Sequence, residues 1–285
     1  MKVDLEFLYM LVDLLSQEFQ AELTLKGALS LNLLLDYRTT TLNYRLTEDY
    51  DTYLVGGREV FSNLCDSVNK ALKSLGHDGM YEAVSKRRPK NHSAGRISVQ
   101  RRDDGDLWFN IDVDIDPAKE VIQVLLPSNR EINSVSINSI CVDKIESISE
   151  DTIRYRIKDI YDIYLIASMF EPNFEPIFVM FQSMFRGDKA RERYETGQAF
   201  KSFRNDYDVL KEYYDTELTD LSDPSLKPDF EEVYLRAFAF VAPFIVDERK
   251  TRDAIWSVDS MDWIPIFTLP RSISSSDEFA PSENF

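Results

Sequence analysis

The spacing of apolar residues changes several times along the first half of the chain. Helical spacing, with acidic residues on the opposite face, predicts helices, and a two-residue period predicts strands. The elements predicted in this way are a helix over 4–19, a strand over 21–25, a helix over 28–35, a strand over 47–55, a helix over 58–75, and strands over 80–86, 95–102, 107–115, 119–126 and 131–137. Turn-forming pairs such as Asp104-Gly105 separate the last strands and predict a β-meander.

Beyond residue 138 the apolar spacing is helical, and prolines interrupt it. The helices predicted there cover 139–149, 152–169, 173–186, 190–214 and 229–246. The Ser-rich, acidic segment 271–285 predicts a disordered tail. We therefore expect an α+β protein, in which a mixed β-sheet with flanking helices (1–138) is followed by a helical C-terminal domain (139–270).

Composition narrows the class of protein. The 285 residues are 44% hydrophobic and 29% charged, which is typical of a folded globular chain. No apolar run reaches the roughly 18 residues that span a bilayer, and the acids Asp4, Glu6 and Asp13 argue against a signal peptide. Two cysteines and two histidines give no disulfide framework and argue against a zinc or haem enzyme. We expect a soluble, cytoplasmic protein without a membrane partner.

The net charge of −17 disfavours binding to nucleic acid, because Lys and Arg supply the affinity for phosphates. The charge is unevenly distributed, however. Residues 86–102, called the basic island below, hold seven basic side chains and no acid. Local charge matters more for a binding surface than the sum over the chain.

Two acidic strands are the first candidates for chemistry. Asp49 and Asp51 share one face of their predicted strand, and neighbouring carboxylates are ligands that Mg²⁺ prefers. In the second strand Asp112 and Asp114 also share a face. If the strands are neighbours, one of these two would be a third metal ligand and the base for an attacking hydroxyl. The alternative in both cases is a solvated acidic face.

Lys26-Gly27 lies between a predicted strand and a helix, where free backbone N–H groups suit a phosphate. A glycine before a helix is also common without any ligand. In the helix that contains residues 154–164, Lys158 and Asp162 are four residues apart. The charged face of this helix either forms salt bridges at the protein surface or faces a bound triphosphate.

Taken in order, these motifs resemble the AbiEii/AbiGii toxin family of nucleotidyltransferases. The matching segments are Leu-Lys-Gly-Ala at 25–28, Arg-Leu-Thr-Glu-Asp-Tyr-Asp at 45–51, Asp-Lys-Ile at 143–145 and Arg-Ile-Lys-Asp-Ile-Tyr-Asp-Ile-Tyr at 156–164. The chain departs from the family pattern after Gly27. Ala28 replaces a glycine, Leu29 replaces a small hydroxyl residue, and Ser30 follows one position later.

The resemblance implies a nucleotidyltransferase-like sheet and a toxin of a bacterial toxin–antitoxin or abortive phage infection system. It implies that NMP moves from NTP to an RNA acceptor, the tRNA 3′ end, with Mg²⁺ or Mn²⁺. The implied partners are NTP, the RNA and an antitoxin encoded nearby, a winged-helix regulator.

The resemblance also implies residue roles. The implied catalytic residues are Asp49, Asp51, Lys144, Asp159 and Asp162. The implied nucleotide-binding residues are Lys26, Gly27, Ser30, Arg45, Thr47 and Lys158. The implied metal ligands are Asp49 and Asp51, with Asp114 or Asp112. The basic island would then bind the RNA backbone through Arg87, Arg88, Arg101 and Arg102, unless it is only a mobile, solubilising hairpin.

Two other functions compete with this interpretation. In the first, the chain has the nucleotidyltransferase fold but transfers no nucleotide, and acts as a nucleotide-binding regulatory protein. Leu29, in place of the family's hydroxyl residue, favours this possibility. It would otherwise act as a kinase-like enzyme that moves a phosphoryl group from NTP to protein.

Overall fold

The computed structural model describes residues 4–19, 23–36, 41, 43–47, 49–54, 57–87, 94–114, 119–149, 156–184, 188–195, 198–245 and 253–266. The predicted tail, 271–285, lies outside the described residues. Within the described ranges, no helix has both the length and the apolar character needed to cross a membrane.

Ten α-helices and nine strands are present in the described residues. The helices are α1 (Leu5–Phe19), α2 (Gly27–Leu34), α3 (Gly57–Ser74), α4 (Ile137–Ser149), α5 (Ile157–Met169), α6 (Phe174–Met184), α7 (Asp188–Glu195), α8 (Lys201–Asn205), α9 (Tyr207–Glu217) and α10 (Phe230–Ile245). The strands are β1 (Leu23–Leu25), β2 (Asp49–Leu54), β3 (Tyr81–Arg87), β4 (Ala94–Arg101), β5 (Leu107–Asp114), β6 (Val121–Leu125), β7 (Glu131–Val135), β8 (Ala254–Ser257) and β9 (Asp262–Pro265).

Seven strands form one mixed sheet in the order β3-β4-β5-β2-β1-β7-β6. Strands β2 and β5 run parallel, as do β1 and β7, and the other neighbours are antiparallel. The sheet places β2, which carries the Asp-x-Asp pair, between β1 and the acidic strand β5. The predicted α+β class is therefore confirmed, and the condition that the two acidic strands are neighbours is met.

Apolar side chains collect into two cores. One core lies between helices α1–α3 and the sheet and includes Leu8, Leu64 and Ile111, all fully buried. The other core lies among the C-terminal helices and includes Trp256, whose indole N–H donates to the Ala167 carbonyl. The second core continues to Val135 of β7, so it packs directly against the sheet.

Some predicted elements differ from the structure. The β-meander is wrong beyond β5, because β2 and β1 lie between β5 and the β7–β6 pair. The single helix predicted over 190–214 is wrong as well. Phe200 has a φ of +64°, a left-handed conformation that no helix can contain, and separate helices lie on either side of it. The hairpin of β8 and β9 was not predicted.

Candidate active site

The register between β2 and β5 creates a row of acidic side chains. Asp51 is the cross-strand partner of Asp112, and Asp49 is the partner of Asn110. Because partners in a parallel pair share a face, the acids of both strands line one surface of the sheet. The Asn110 amide donates to Asp49 over 3.5 Å. Thr47 supports this end of β2, since its hydroxyl accepts from the Asp49 N–H and donates to the Asp49 carbonyl.

Gly27 allows the start of α2 to approach Asp51 closely. Its φ is +64°, a conformation that glycine adopts without strain. A Cβ atom at this position would lie 3.1 Å from the Asp51 carboxyl carbon and would overlap one carboxylate oxygen. The Lys26 N–H also donates to the Asp51 carbonyl over 3.1 Å. The helix start and the Asp-x-Asp strand are therefore in direct contact.

Burial raises the pKa of Asp51 to about 6. The ammonium groups of Lys26 and Lys144 oppose this shift, and the neighbouring carboxylates of Asp112 and Asp49 add to it. In the described part of the chain, no Lys or Arg forms a salt bridge with Asp49 or Asp51. A cation bound at this pair would relieve the repulsion among the carboxylates.

Lys144 is held in a buried network between α4 and α5. Its ammonium lies 2.7 Å from both Asp159 and Asp162, and Arg45 binds Asp162 through two N–H groups at 3.2 Å. Burial disfavours the charged form of Lys144, but the two carboxylates outweigh it and raise its pKa. Burial likewise opposes ionisation of Asp162, yet Arg45 and Lys144 lower its pKa. Arg45, Lys144 and Asp162 are therefore charged at neutral pH.

A cleft of about 630 Å³ lies between the sheet, one face of α4 and the start of α5. Residues 140, 143, 144 and 147 of α4 line it, which is the i, i+3, i+4, i+7 spacing of one helix face. The charged side chains that line the cleft are Lys26, Asp51, Asp114, Lys119, Asp143, Lys144, Glu146, Arg156 and Asp159. Its volume is in the range of ligand pockets, about 300–1,000 Å³.

The two candidates for a third metal ligand both have cationic partners. The Asp112 carboxylate receives two hydrogen bonds from the Arg96 guanidinium, at 2.7 and 2.8 Å. Lys26 contacts Asp114, and its ammonium lies 4.8 Å from the centre of the Tyr53 ring. These two salt bridges compensate the charge of the β5 face.

Two predicted nucleotide contacts, Ser30 and Lys158, and one predicted catalytic residue, Asp162, lie away from the cleft lining. Ser30 is fully buried, and its hydroxyl bonds to that of Ser134 on β7, so the prediction that it contacts a nucleotide does not fit its position. Lys158 pairs with Asp220 at 2.5 Å rather than with Asp162, because α5 turns it toward the segment after α9. Asp162 itself is only 1% exposed, so it can act on a substrate only through Lys144.

Two of the four predicted RNA contacts are salt-bridged within the β3–β4 region. Arg101 pairs with Asp103 and Asp104, and Arg102 pairs with Glu82 at 3.1 Å. They lie at the end of β4 remote from its pairing with Asp114. Arg88 lies outside the described residues, and Arg87 is described only as the last residue of β3.

The cleft also contains charged residues that sequence reasoning did not assign. Lys119 precedes β6 and pairs with Asp143, and Arg156 lies 3.7 Å from Asp159. Asp143 directly precedes Lys144 in the motif at 143–145, which was a usable signal. Nothing in the sequence signals Lys119, because its position depends on how the chain passes from β5 to β6.

The residues fit a divalent metal that is shared with a substrate. Asp49 and Asp51 supply hard oxygen ligands, and Mg²⁺ commonly takes one or two carboxylates and completes its shell with substrate phosphates. Among the described residues there is no group of three or more His, Cys, Asp or Glu residues that could hold a metal ion alone. The donor set therefore suits a metal that arrives with a nucleotide.

The amino-acid sequence matches one protein-family model over most of its length. A family model described as "Nucleotidyl transferase AbiEii toxin, Type IV TA system" matches residues 9–236. No curated protein matches the chain.

Three solved structures are similar to the chain. A proposed nucleotidyltransferase from H. pylori has 18% identity and a TM-score of 0.47, over 87% of this chain and 98% of that one. The nucleotidyltransferase toxin MenT4 from Mycobacterium tuberculosis has 18% identity and a TM-score of 0.44, over 65% of each chain. The Megavirus polyadenylate synthase has 12% identity and a TM-score of 0.36, over 74% of this chain and 48% of that one.

Proposed function

Because the chain belongs to the nucleotidyl transferase AbiEii toxin family of type IV toxin–antitoxin systems, we propose that it transfers NMP from NTP to the 3′ end of an RNA. The acceptor that we propose is tRNA. The observation that carries the proposal is the cleft in which Gly27, Asp51 and Lys144 converge, with Asp49 two residues before Asp51 on the same face of β2. Nucleotide transfer requires a phosphate-binding turn, a pair of carboxylates and a cationic side chain close together in one site.

The nucleotide would bind with its phosphates at the start of α2. The first N–H groups of a helix have no partner within the helix and can donate to a phosphate. Lys26 and Lys144 add positive charge near the start of α2. The buried side chain of Leu29 cannot bind a phosphate. In this chain, backbone N–H groups would therefore make the phosphate contact that a hydroxyl side chain makes in other members of the family.

Asp49 and Asp51 would hold Mg²⁺ or Mn²⁺ together with the nucleotide phosphates. A metal bound there neutralises negative charge at the phosphates. The start of α2 at Gly27 packs against the Asp51 carboxylate, and the two bonds between the Thr47 hydroxyl and the Asp49 backbone hold the start of β2.

Lys144 would contact the phosphates as pyrophosphate departs. Asp159 and Asp162 hold its ammonium, and Arg45 in turn holds Asp162. In this proposal Asp162 and Arg45 are positioning residues, since they act through Lys144.

The acceptor hydroxyl would attack the α-phosphorus from the β5 side. The new bond joins the hydroxyl oxygen to the α-phosphorus, and the bond to the bridging oxygen of pyrophosphate breaks. We propose that Asp112, the cross-strand partner of Asp51, accepts the hydroxyl proton.

The biological setting that we propose follows from the family. A type IV toxin has an antitoxin partner, and we propose a winged-helix regulator encoded nearby, a role in abortive phage infection and a cytoplasmic location.

The test is an incubation of the protein with Mg²⁺, total tRNA and each NTP, labelled at either the α- or the γ-position. Label from the α-position in RNA would support the transfer. Label from the γ-position in protein would identify a kinase instead, and no label with any NTP would favour a regulatory binding protein.

A further inference from the structure

Arg96 of β4 lies beside the acidic row but outside the lining of the cleft. It is the cross-strand partner of Asp112, which is itself the partner of Asp51. Neighbouring strands are about 5 Å apart, so the Cα atoms of Arg96 and Asp51 are about 10 Å apart on the same face. Arg96 therefore borders the acidic pair on the side opposite to the nucleotide cleft.

The guanidinium of Arg96 is fixed in one orientation. Its Nε and one Nη2 hydrogen bind the two oxygens of Asp112. No hydrogen bond joins its Nη1 group to the described part of the chain, and its side chain remains 37% exposed. The hydrogen bonds that Arg96 donates to Asp112 also raise the pKa of Arg96, so its charge is permanent. A planar, pre-oriented guanidinium with outward N–H groups is well suited to bind a phosphate.

Uncharged polar groups lie between Arg96 and Asp49 on the same face of the sheet, and Ser98 among them is buried. The Ser98 hydroxyl on β4 donates to the Asn110 side-chain oxygen over 3.0 Å, and the Asn110 amide faces Asp49. Together with Arg96 they form a polar path across β4 and β5 that ends at the acidic pair.

We propose that Arg96 binds the backbone phosphate of the 3′-terminal nucleotide of the acceptor, whose hydroxyl then faces Asp51 and Asp112. This inference rests on the proposed function and extends it to the acceptor side of the site. A phosphate of the NTP would bind the same group, so the test separates the two sources. Arg101 and Arg102, by contrast, are already paired with acids at the far end of β4.

The first experiment measures binding of the full chain to a 5′-labelled single-stranded RNA that ends in CCA, by fluorescence anisotropy over a range of KCl concentrations. For Arg96→Gln we expect the slope of log K against log [salt] to become shallower by about 0.7, the value for one lost phosphate contact on a single strand. Arg96→Lys keeps the charge and should keep most of the slope. Arg130→Gln is the matched control, since Arg130 binds Asp13 at 2.8 Å with exposures of 39% and 20%, against 37% and 20% for Arg96 and Asp112.

The second experiment changes the RNA instead of the protein. An oligonucleotide with a methylphosphonate at its last phosphodiester lacks that one charge. With this RNA, the slope of log K against log [salt] for the wild-type protein should become shallower by the same amount as the substitution causes. The slope for Arg96→Gln should be the same with both RNAs. This comparison holds even if Arg96→Gln is partly destabilised, because the wild-type arm needs no substitution.

Steady-state kinetics give the third readout. Arg96→Gln should raise KM for the RNA roughly tenfold, as expected for the loss of a charged hydrogen bond, and leave KM for NTP unchanged. An unchanged salt slope and RNA KM would overturn the proposal and leave Arg96 as an orienting partner of Asp112. A raised KM for NTP alone would overturn it in favour of the triphosphate. The binding experiments need no turnover, so a wild-type protein that binds RNA but transfers no label would refute the proposed function separately.

Discussion

Substituting Gly27 by alanine tests whether the contact between α2 and Asp51 matters for activity beyond its effect on folding. A non-glycine residue in the left-handed conformation costs about 1–2 kcal/mol. The smaller entropy of the unfolded alanine chain offsets about 0.4–1 kcal/mol of this cost. We therefore expect the free energy of unfolding to fall by about 1 kcal/mol, measured by guanidinium denaturation.

The activity of Gly27→Ala should fall far more than its stability. The new Cβ would overlap an oxygen of Asp51 and would lie 3.1 Å from the carboxyl carbon, so the carboxylate must move. A displacement of about 1 Å in a catalytic group typically costs about 10²-fold in rate, which corresponds to about 2.7 kcal/mol of transition-state stabilisation. The assay is α-label transfer to tRNA under saturating NTP.

Gly76→Ala is the matched control for this substitution. Gly76 has a φ of +77°, but no atom lies within 4 Å of the position that a Cβ would take there, so the substitution adds strain without a clash. It should lose a similar amount of stability and keep wild-type activity. Equal loss of activity in both variants, or full activity in Gly27→Ala, would refute the reasoning.

Three further substitutions test the placement of individual residues. Asp162→Asn should lower the free energy of unfolding at pH 7 by about 3–5 kcal/mol, because it leaves the buried charges of Arg45 and Lys144 poorly compensated. Since the pKa of Asp162 is lowered on folding, its contribution is complete above the unfolded pKa and is lost as the pH falls, so the difference between wild type and variant in denaturant titrations should narrow below about pH 4. Ser30→Ala should cost about 0.5–1.5 kcal/mol of stability and leave KM for NTP unchanged, and a large rise in KM would contradict its burial away from the cleft. Lys158→Gln should change stability by at most about 1 kcal/mol and should also leave KM for NTP unchanged, which a titration of initial rate against NTP concentration would check.

The sequence contained enough information to predict the strands and the acidic face. A two-residue period fixes which side chains share a face, so the placement of Asp49 and Asp51 together followed directly from their spacing. The neighbouring position of β5 could only be stated as a condition, because strand order depends on long-range pairing.

The partners of the charged residues could not be predicted from local spacing. Lys158 and Asp162 are four residues apart on α5, yet each pairs with a residue distant in sequence, Asp220 and Arg45 respectively. Burial decides this choice, since Asp162 faces the interior and Lys158 faces the surface. Phe200 gives no local signal either, because its left-handed conformation is rare for a bulky residue.

The central claim is that the acidic pair of β2 carries out nucleotide transfer. The most direct test compares wild type with Asp49→Ala and Asp51→Asn in α-label transfer to tRNA, with circular dichroism to verify folding and growth arrest on expression as the cellular readout. We predict that the wild type labels RNA, and that both variants fold but neither transfers label nor arrests growth. Label transfer or growth arrest that persists in a folded Asp49→Ala protein would contradict the account.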